Sequence, residues 1–273
     1  MAYAINVMAG AAVLYGGIVL AAWLGQRKLM YHPNTTRTAP AAVGLVGVEE
    51  RLVETDDGAR IVTWQVKAEP GRPTILYFHG NAGDLADRAE RIRQFSAAGW
   101  GAVMMAYRGY AGSTGSPSEA ANVADAKRVF DRLVAEGTRA ESIIAYGESL
   151  GSGVAVQLAA SRPVRALVLD APYTSIVDVA ASVYPYLPVR PLLKDRYESS
   201  RHLGVIKVPV LILHGERDQV IPIAMGRAMY ALANEPKRMV EFPAGNHSDL
   251  FSHGALEAIR RWLGEVGAAE PAR

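Results

Sequence analysis

The sequence predicts an α/β architecture: a doubly wound, mostly parallel sheet with a small lid insertion, preceded by an apolar N-terminal helix. Three observations lead there. Short apolar runs alternate with helical patterns from Thr74 onward, and continuous runs of that kind suit parallel strands covered on both faces. Two segments of alternating polarity precede them, joined by Asp56-Asp57-Gly58. They read as an antiparallel hairpin at one edge. Residues 1–26 carry no charged side chain.

Taking the elements in order, the run Ala4–Leu24 has Asn6 as its one amide. At about 1.5 Å per residue it reaches roughly 30 Å, the thickness of a bilayer's hydrocarbon. A cleaved signal peptide and a buried N-terminal helix are the rivals. No Lys or Arg precedes the run, and the residues around Ala22-Trp23-Leu24-Gly25 are too large for a cleavage site. We therefore expect a single-pass anchor over 1–26, a linker over 27–47 and an α/β domain over 48–273. Arg27, Lys28 and Arg37 follow the span, which puts the domain on the cytoplasmic side by the positive-inside rule.

Within the domain, Glu49–Glu54 and Arg60–Val66 form the hairpin. Strands are then expected at Thr74–Phe78, Ala102–Ala106, Ile143–Tyr146, Ala166–Leu169, Val210–Leu213 and Arg238–Phe242. Helical patterns fall at Asp87–Ala98, Ser118–Glu136, Leu150–Ala160, Pro222–Leu232 and Leu250–Leu263. The alternation implies right-handed crossovers. A stretch from about 172 to 207, rich in Pro and Tyr, breaks the rhythm after a strand, where ligand sites form in such sheets. It reads as a lid over a substrate pocket, against the plainer reading of a helical cover for the sheet edge.

The chemistry begins at Gly147-Glu148-Ser149-Leu150-Gly151, which follows a strand directly and opens a helix. A serine on a tight strand–helix turn has its hydroxyl lifted above the sheet, and the glycines leave room for the chain to pass. Ser149 is therefore the candidate nucleophile. A serine hydroxyl needs a histidine base and a carboxylate to orient it, and in this architecture they follow in the order Ser, acid, His. His247, in the polar turn after the last strand, is preferred over His202, His214 and His253. Asp218 ends a strand on the same sheet edge and is preferred over Asp170. Asp249 and Ser248 read as helix caps instead. The developing oxyanion needs preorganised N–H donors. Those of Leu150, beside the nucleophile, and Asn81, in the loop His79-Gly80-Asn81-Ala82-Gly83, are the candidates. His79 is expected to hold that loop, and Arg108 to make structural hydrogen bonds.

The motifs His79-Gly80-Asn81-Ala82-Gly83, Tyr107-Arg108-Gly109-Tyr110, Gly147-Glu148-Ser149-Leu150-Gly151, Asp170-Ala171-Pro172-Tyr173 and His214-Gly215-Glu216-Arg217-Asp218, with His247, resemble the membrane-anchored α/β-hydrolase branch. That branch includes the fungal bud-emergence-like proteins, with animal protein depalmitoylases as relatives. The resemblance runs from about residue 27 to the end. It implies an α/β-hydrolase fold and a triad of Ser149, Asp218 and His247. One departure is Ala111, where the branch usually carries Gly.

These readings converge on a serine hydrolase of an ester, thioester or amide, most simply a carboxylesterase or acyl thioesterase acting on a lipid-like acyl substrate. A serine peptidase on the same fold and a non-catalytic membrane scaffold are the alternatives. No organic cofactor and no metal is expected: the 273 residues include no Cys, and no HExxH spacing occurs. A net charge of +2 gives no general attraction to nucleic acid.

Overall fold

In the computed structural model, which describes residues 1–269, the chain folds as a long N-terminal helix leading into a three-layer α/β domain. The strands are β1 (Glu49–Glu54), β2 (Arg60–Val66), β3 (Thr74–Phe78), β4 (Gly101–Met105), β5 (Ile143–Glu148), β6 (Ala166–Asp170), β7 (Val210–Gly215) and β8 (Lys237–Phe242). Among the described residues they make one eight-stranded sheet in the order β8-β7-β6-β5-β3-β4-β2-β1. The hairpin β1–β2 is antiparallel, and β2 also pairs antiparallel with β4. Every other neighbouring pair is parallel. The side chains of β3, β4, β5, β6 and β7 are all buried, as continuous apolar runs require when helices cover both faces.

The helices are α1 (Ala2–Met30), α2 (Ala89–Ala97), α3 (Glu119–Ala135), α4 (Leu150–Ala159), α5 (Ile176–Val183), α6 (Val189–Leu192), α7 (Ser199–Leu203), α8 (Ile223–Leu232) and α9 (Ala255–Ala269). Ser118 caps α3 by accepting from the Ala121 N–H, and Ser175 caps α5 by accepting from the Asp178 N–H. Strand order reverses at β3, which has β4 on one side and β5 on the other. The carboxyl ends of β3 and β5 therefore flank a crevice, the place where open α/β sheets bind ligands.

Three boundaries differ from expectation. Helix α1 continues past residue 26 to Met30, because Gln26 and Arg27 find polar partners on the domain. The stretch expected as a linker is packed down. The Tyr31 and Leu45 side chains are buried, and His32–Pro33 pairs in parallel with Ala82–Gly83. The lid stretch is of two kinds: α5 and α6 rim a cavity, whereas Tyr197 and Leu203 are buried in the core. Helix α1 meets the length and hydropathy of a membrane span, and no residue of its most apolar 18-residue window is buried. That excludes a helix buried in the domain core.

Ala111, the departure from the resembled pattern, has φ 49° and is buried, with its N–H donating to the Asn34 carbonyl at 2.9 Å. A Cβ in the left-handed region costs about 1–2 kcal/mol, more than the 0.5–1 kcal/mol by which glycine's extra freedom in the unfolded chain offsets it. Ala111→Gly is expected to raise Tm by about 2 °C in scanning calorimetry; an unchanged or lower Tm would contradict strain at this residue.

Candidate active site

The tight turn comes first, because the rest depends on it. β5 ends at Glu148 and α4 begins at Leu150, so a single residue, Ser149, makes the reversal at φ 52° and ψ −119°. The passage is close. A Cβ on Gly147 would lie 2.3 Å from the Gly151 carbonyl oxygen, and one on Gly151 would lie 2.1 Å from that of Phe78. The Ser149 N–H donates to the Asp170 carbonyl at 2.8 Å, and its carbonyl accepts from the Ser152 N–H at 2.9 Å. Strain of this kind persists where the surroundings over-determine the backbone.

Two loops from the same sheet edge reach Ser149. The turn after β8 carries His247, whose Nε2 lies 2.8 Å from the Ser149 Oγ. The turn after β7 carries Asp218, whose Oδ2 lies 2.7 Å from His247 Nδ1. The loops brace each other through the Arg217 N–H on the Gly245 carbonyl and the Glu216 N–H on the Phe242 carbonyl, both 3.0 Å. Asp218 Oδ1 accepts from the Val220 and Ile221 N–H groups, each at 2.8 Å. Burial works against the Asp218 carboxylate. Hydrogen bonds from His214, His247 and the Ile221 N–H outweigh it and hold the group below the usual carboxylate range. Burial likewise disfavours a charged His247, but the hydrogen bond and negative charge of Asp218 prevail and raise its pKa. The ring is thus aimed and made more basic by the same carboxylate.

Asn81 and Leu150 line the same cavity as Ser149. Leu150 is the first residue of α4, so its N–H has no carbonyl partner within the helix. The Asn81 loop is held from several sides: its side-chain amide donates to the Met30 carbonyl at 2.9 Å, and its own carbonyl accepts from the His32 N–H and the Tyr110 hydroxyl. His79 holds this loop too, its Nδ1 on the Gly80 carbonyl at 2.7 Å and its carbonyl accepting from the Tyr107 hydroxyl. Burial, reinforced by the Arg88 charge, pushes His79 down to about 3, so its ring is neutral.

The rivals fall elsewhere. Asp170 accepts from the Tyr146 hydroxyl at 2.6 Å and from Arg91 at 3.3 Å. Asp249 accepts from the Asn246 N–H at 2.7 Å instead of capping a helix, which shapes the His247 turn. Arg108 spans Asp57 and Asp125 with two contacts to each, a structural role. His214 is a different case. Its Nε2 lies 3.4 Å from Asp218 Oδ2 and 2.8 Å from the Ile221 carbonyl. It supports the acid, a role that sequence reasoning did not assign; its position four residues before Asp218 at a strand end was the available signal.

The cavity has a volume of about 400 Å³, within the ~300–1,000 Å³ usual for small-molecule sites. Its walls are mostly aliphatic, including Ile176, Val179, Leu187 and Ile221, with Ser149 among the residues that line it. A serine on a strand–turn–helix reversal thus faces a His and an Asp from later loops at one edge of a doubly wound sheet. Comparison with known proteins agrees. Residues 73–196 match the family described as alpha/beta hydrolase fold. The alpha/beta hydrolase domain-containing protein WAV2 of Arabidopsis thaliana is 32% identical over 273 residues, covering 90% of this chain and 88% of that one. Protein bem46 of Schizosaccharomyces pombe is 34% identical over 217 residues, covering 76% and 73%. The solved esterase Pf2001 of Pyrococcus furiosus shares the fold at a TM-score of 0.67 with 15% identity, covering 86% of this chain and 98% of that one. The chain belongs to the α/β-hydrolase family, with bem46 and WAV2 as relatives, and is a hydrolase.

The geometry sets a titration. In NMR the His247 ring is expected to titrate above its ordinary 6.5, and Asp218→Asn to move that midpoint down. An unmoved midpoint would mean that Asp218 does not set the basicity of the ring.

Proposed function

We propose that the protein is a serine hydrolase that cleaves a carboxylic ester or thioester, with Ser149 as nucleophile, His247 as base and Asp218 as the group that orients it. The observation carrying this reading is the continuous chain Asp218–His247–Ser149, with 2.7 and 2.8 Å links, ending at the apolar cavity. In the first half-reaction the Ser149 Oγ attacks the acyl carbonyl carbon as its proton passes to His247 Nε2. The oxyanion is received by the N–H groups of Leu150 and Asn81, each worth roughly 3 kcal/mol of barrier. The C–O or C–S bond breaks, and the departing oxygen or sulfur takes the proton from His247. Water then repeats the sequence on the acyl-enzyme and releases the acid. The aliphatic walls favour an acyl chain over a peptide, whose amides would lose hydrogen bonds there. We also propose that α1 anchors the protein in a membrane, with the domain on the cytoplasmic side of Arg27 and Lys28.

A fluorophosphonate probe is expected to add covalently to the full-length protein at Ser149, and Ser149→Ala to take no label and to lose about 10⁴-fold or more in kcat. A folded wild-type protein that takes no label would overturn the reading. As His247 must be neutral to accept the proton, kcat/KM should be low under acid conditions and rise through its raised pKa. Asp218→Asn is expected to shift that rise to lower pH and to cut kcat by about 10⁴-fold. A pH profile unchanged in that variant would remove Asp218 from the relay.

A further inference from the structure

Helix α1 does more than leave the domain. Val19, Ala22, Trp23, Gln26, Leu29 and Met30 all line the same cavity as Ser149. Their spacing puts them on one face of the helix. Across the cavity stand Ile176, Val179, Ala180 and Val183, which share one face of α5. We propose that α1 is a wall of the acyl-binding pocket, and that a long acyl chain reaches Ser149 sideways from the bilayer, between α1 and α5. This rests on the serine-hydrolase reading above and deepens it to a substrate class: long-chain acyl esters or thioesters resident in the membrane.

The helix is fixed in that position by several bonds. Arg27 donates to both oxygens of Asp195 at 2.8 and 3.0 Å. Gln26 accepts from the Lys194 N–H at 2.7 Å and donates to the Leu192 carbonyl at 3.3 Å. The Lys194 ammonium lies 4.0 Å over the Trp23 ring. One further bond, from the Tyr15 hydroxyl to the Tyr186 carbonyl at 2.8 Å, ties the helix higher up to the turn after α5.

Depth follows from length. About 20 residues of helix cross the hydrocarbon, so the apolar run Ala4–Leu24 reaches the far interface near Leu24, about one turn before Arg27 and Lys28. Val19 then lies just inside the inner edge of the hydrocarbon, and Tyr15 deeper within it. The apolar tip after α5 is level with Tyr15, and it is exposed: Val183 by 54% and Tyr186 by 64%. Exposed apolar side chains at that depth meet lipid rather than water, and the Tyr186 carbonyl there is paired by the Tyr15 hydroxyl. The mouth between α1 and α5 thus faces lipid, and an acyl chain entering there never crosses water.

The test uses full-length protein in phosphatidylcholine nanodiscs and p-nitrophenyl esters from acetyl to hexadecanoyl. For the wild type, kcat/KM is expected to rise about fourfold per added methylene, the value of burying one CH₂, until the pocket is full. Ala22→Trp fills the wall and is expected to lower the dodecanoyl-to-acetyl ratio of kcat/KM at least tenfold. Leu24→Trp, at the same depth on the outward face, is expected to leave that ratio unchanged. A second measurement needs no variant. A long-chain fluorophosphonate with a diazirine on its tail is attached to wild-type Ser149 and irradiated, and crosslinks are expected on α1 between Val19 and Met30. A wild-type chain-length profile in Ala22→Trp, or crosslinks confined to residues outside α1, would overturn the wall with Ser149 still labelled. Absence of any adduct on the wild type would instead overturn the hydrolase reading on which the proposal rests.

Discussion

The close passage of α4 over the end of β3 is the constraint on which the site depends. Gly151 lies so near the Phe78 and His79 carbonyls that no side chain fits there, and Gly147 is pressed equally against Gly151. The chain leaves β5 and enters α4 with a single residue to spare, and Ser149 takes up the reversal in a conformation that L-residues rarely adopt. The strain has a use. It raises the hydroxyl above the sheet edge while keeping the free N–H groups of the helix start behind it. A looser turn would let the serine side chain fall back toward ordinary φ and out of line with His247.

Beneath the elbow lies a buried set of charges. Glu148, one residue before Ser149, accepts from the Tyr77 hydroxyl and faces Arg88 at 3.3 Å. Asp170, at the matching register of β6, faces Arg91 at 3.3 Å. The Arg91 guanidinium also lies 3.6 Å over the Phe251 ring. Burial alone would push Glu148 toward the neutral acid, but the Arg88 and Arg91 charges hold it low. Buried ions are seldom a source of net stability. Here the two acids are the strand-end residues of β5 and β6, so the pairs fix the floor from which the Ser149 turn rises.

Much of this was legible in the sequence because the signals were local. The bounds of the hairpin were readable to the residue because Asp56-Asp57-Gly58 marks the turn, although burial along β2 does not alternate. Ser149, His247 and Asp218 followed from strand-end positions and chain order, both properties of a few consecutive residues. The contacts of α1 were not legible. Arg27 and Asp195 are 168 positions apart, and nothing in either neighbourhood names the other. The charge-free run fixed where the helix begins to suit lipid, but its end at Met30 is decided by partners on the lid. The same holds for the buried Tyr31 and Leu45, which turned an expected linker into packed chain. His214 escaped because a histidine inside a strand-end turn looks like any core histidine until Asp218 is seen beside it.

Asn81 joins these two scales of organisation. Its side chain donates to the carbonyl of Met30, the last residue of α1, and its carbonyl accepts from His32, two residues further on. The Asn81 loop is therefore tied to the end of the apolar helix by these two hydrogen bonds and by the short parallel pairing at Ala82–Gly83. A half-buried residue whose side-chain NH2 and backbone carbonyl both find partners in one neighbouring segment is costly to move, because a shift would strand both polar groups. The N-terminal helix, the early loop and the serine turn are thus held as one unit. Displacing the helix would disturb the positioning of the loop as well as the wall of the cavity, so helix and site share a single mechanical frame.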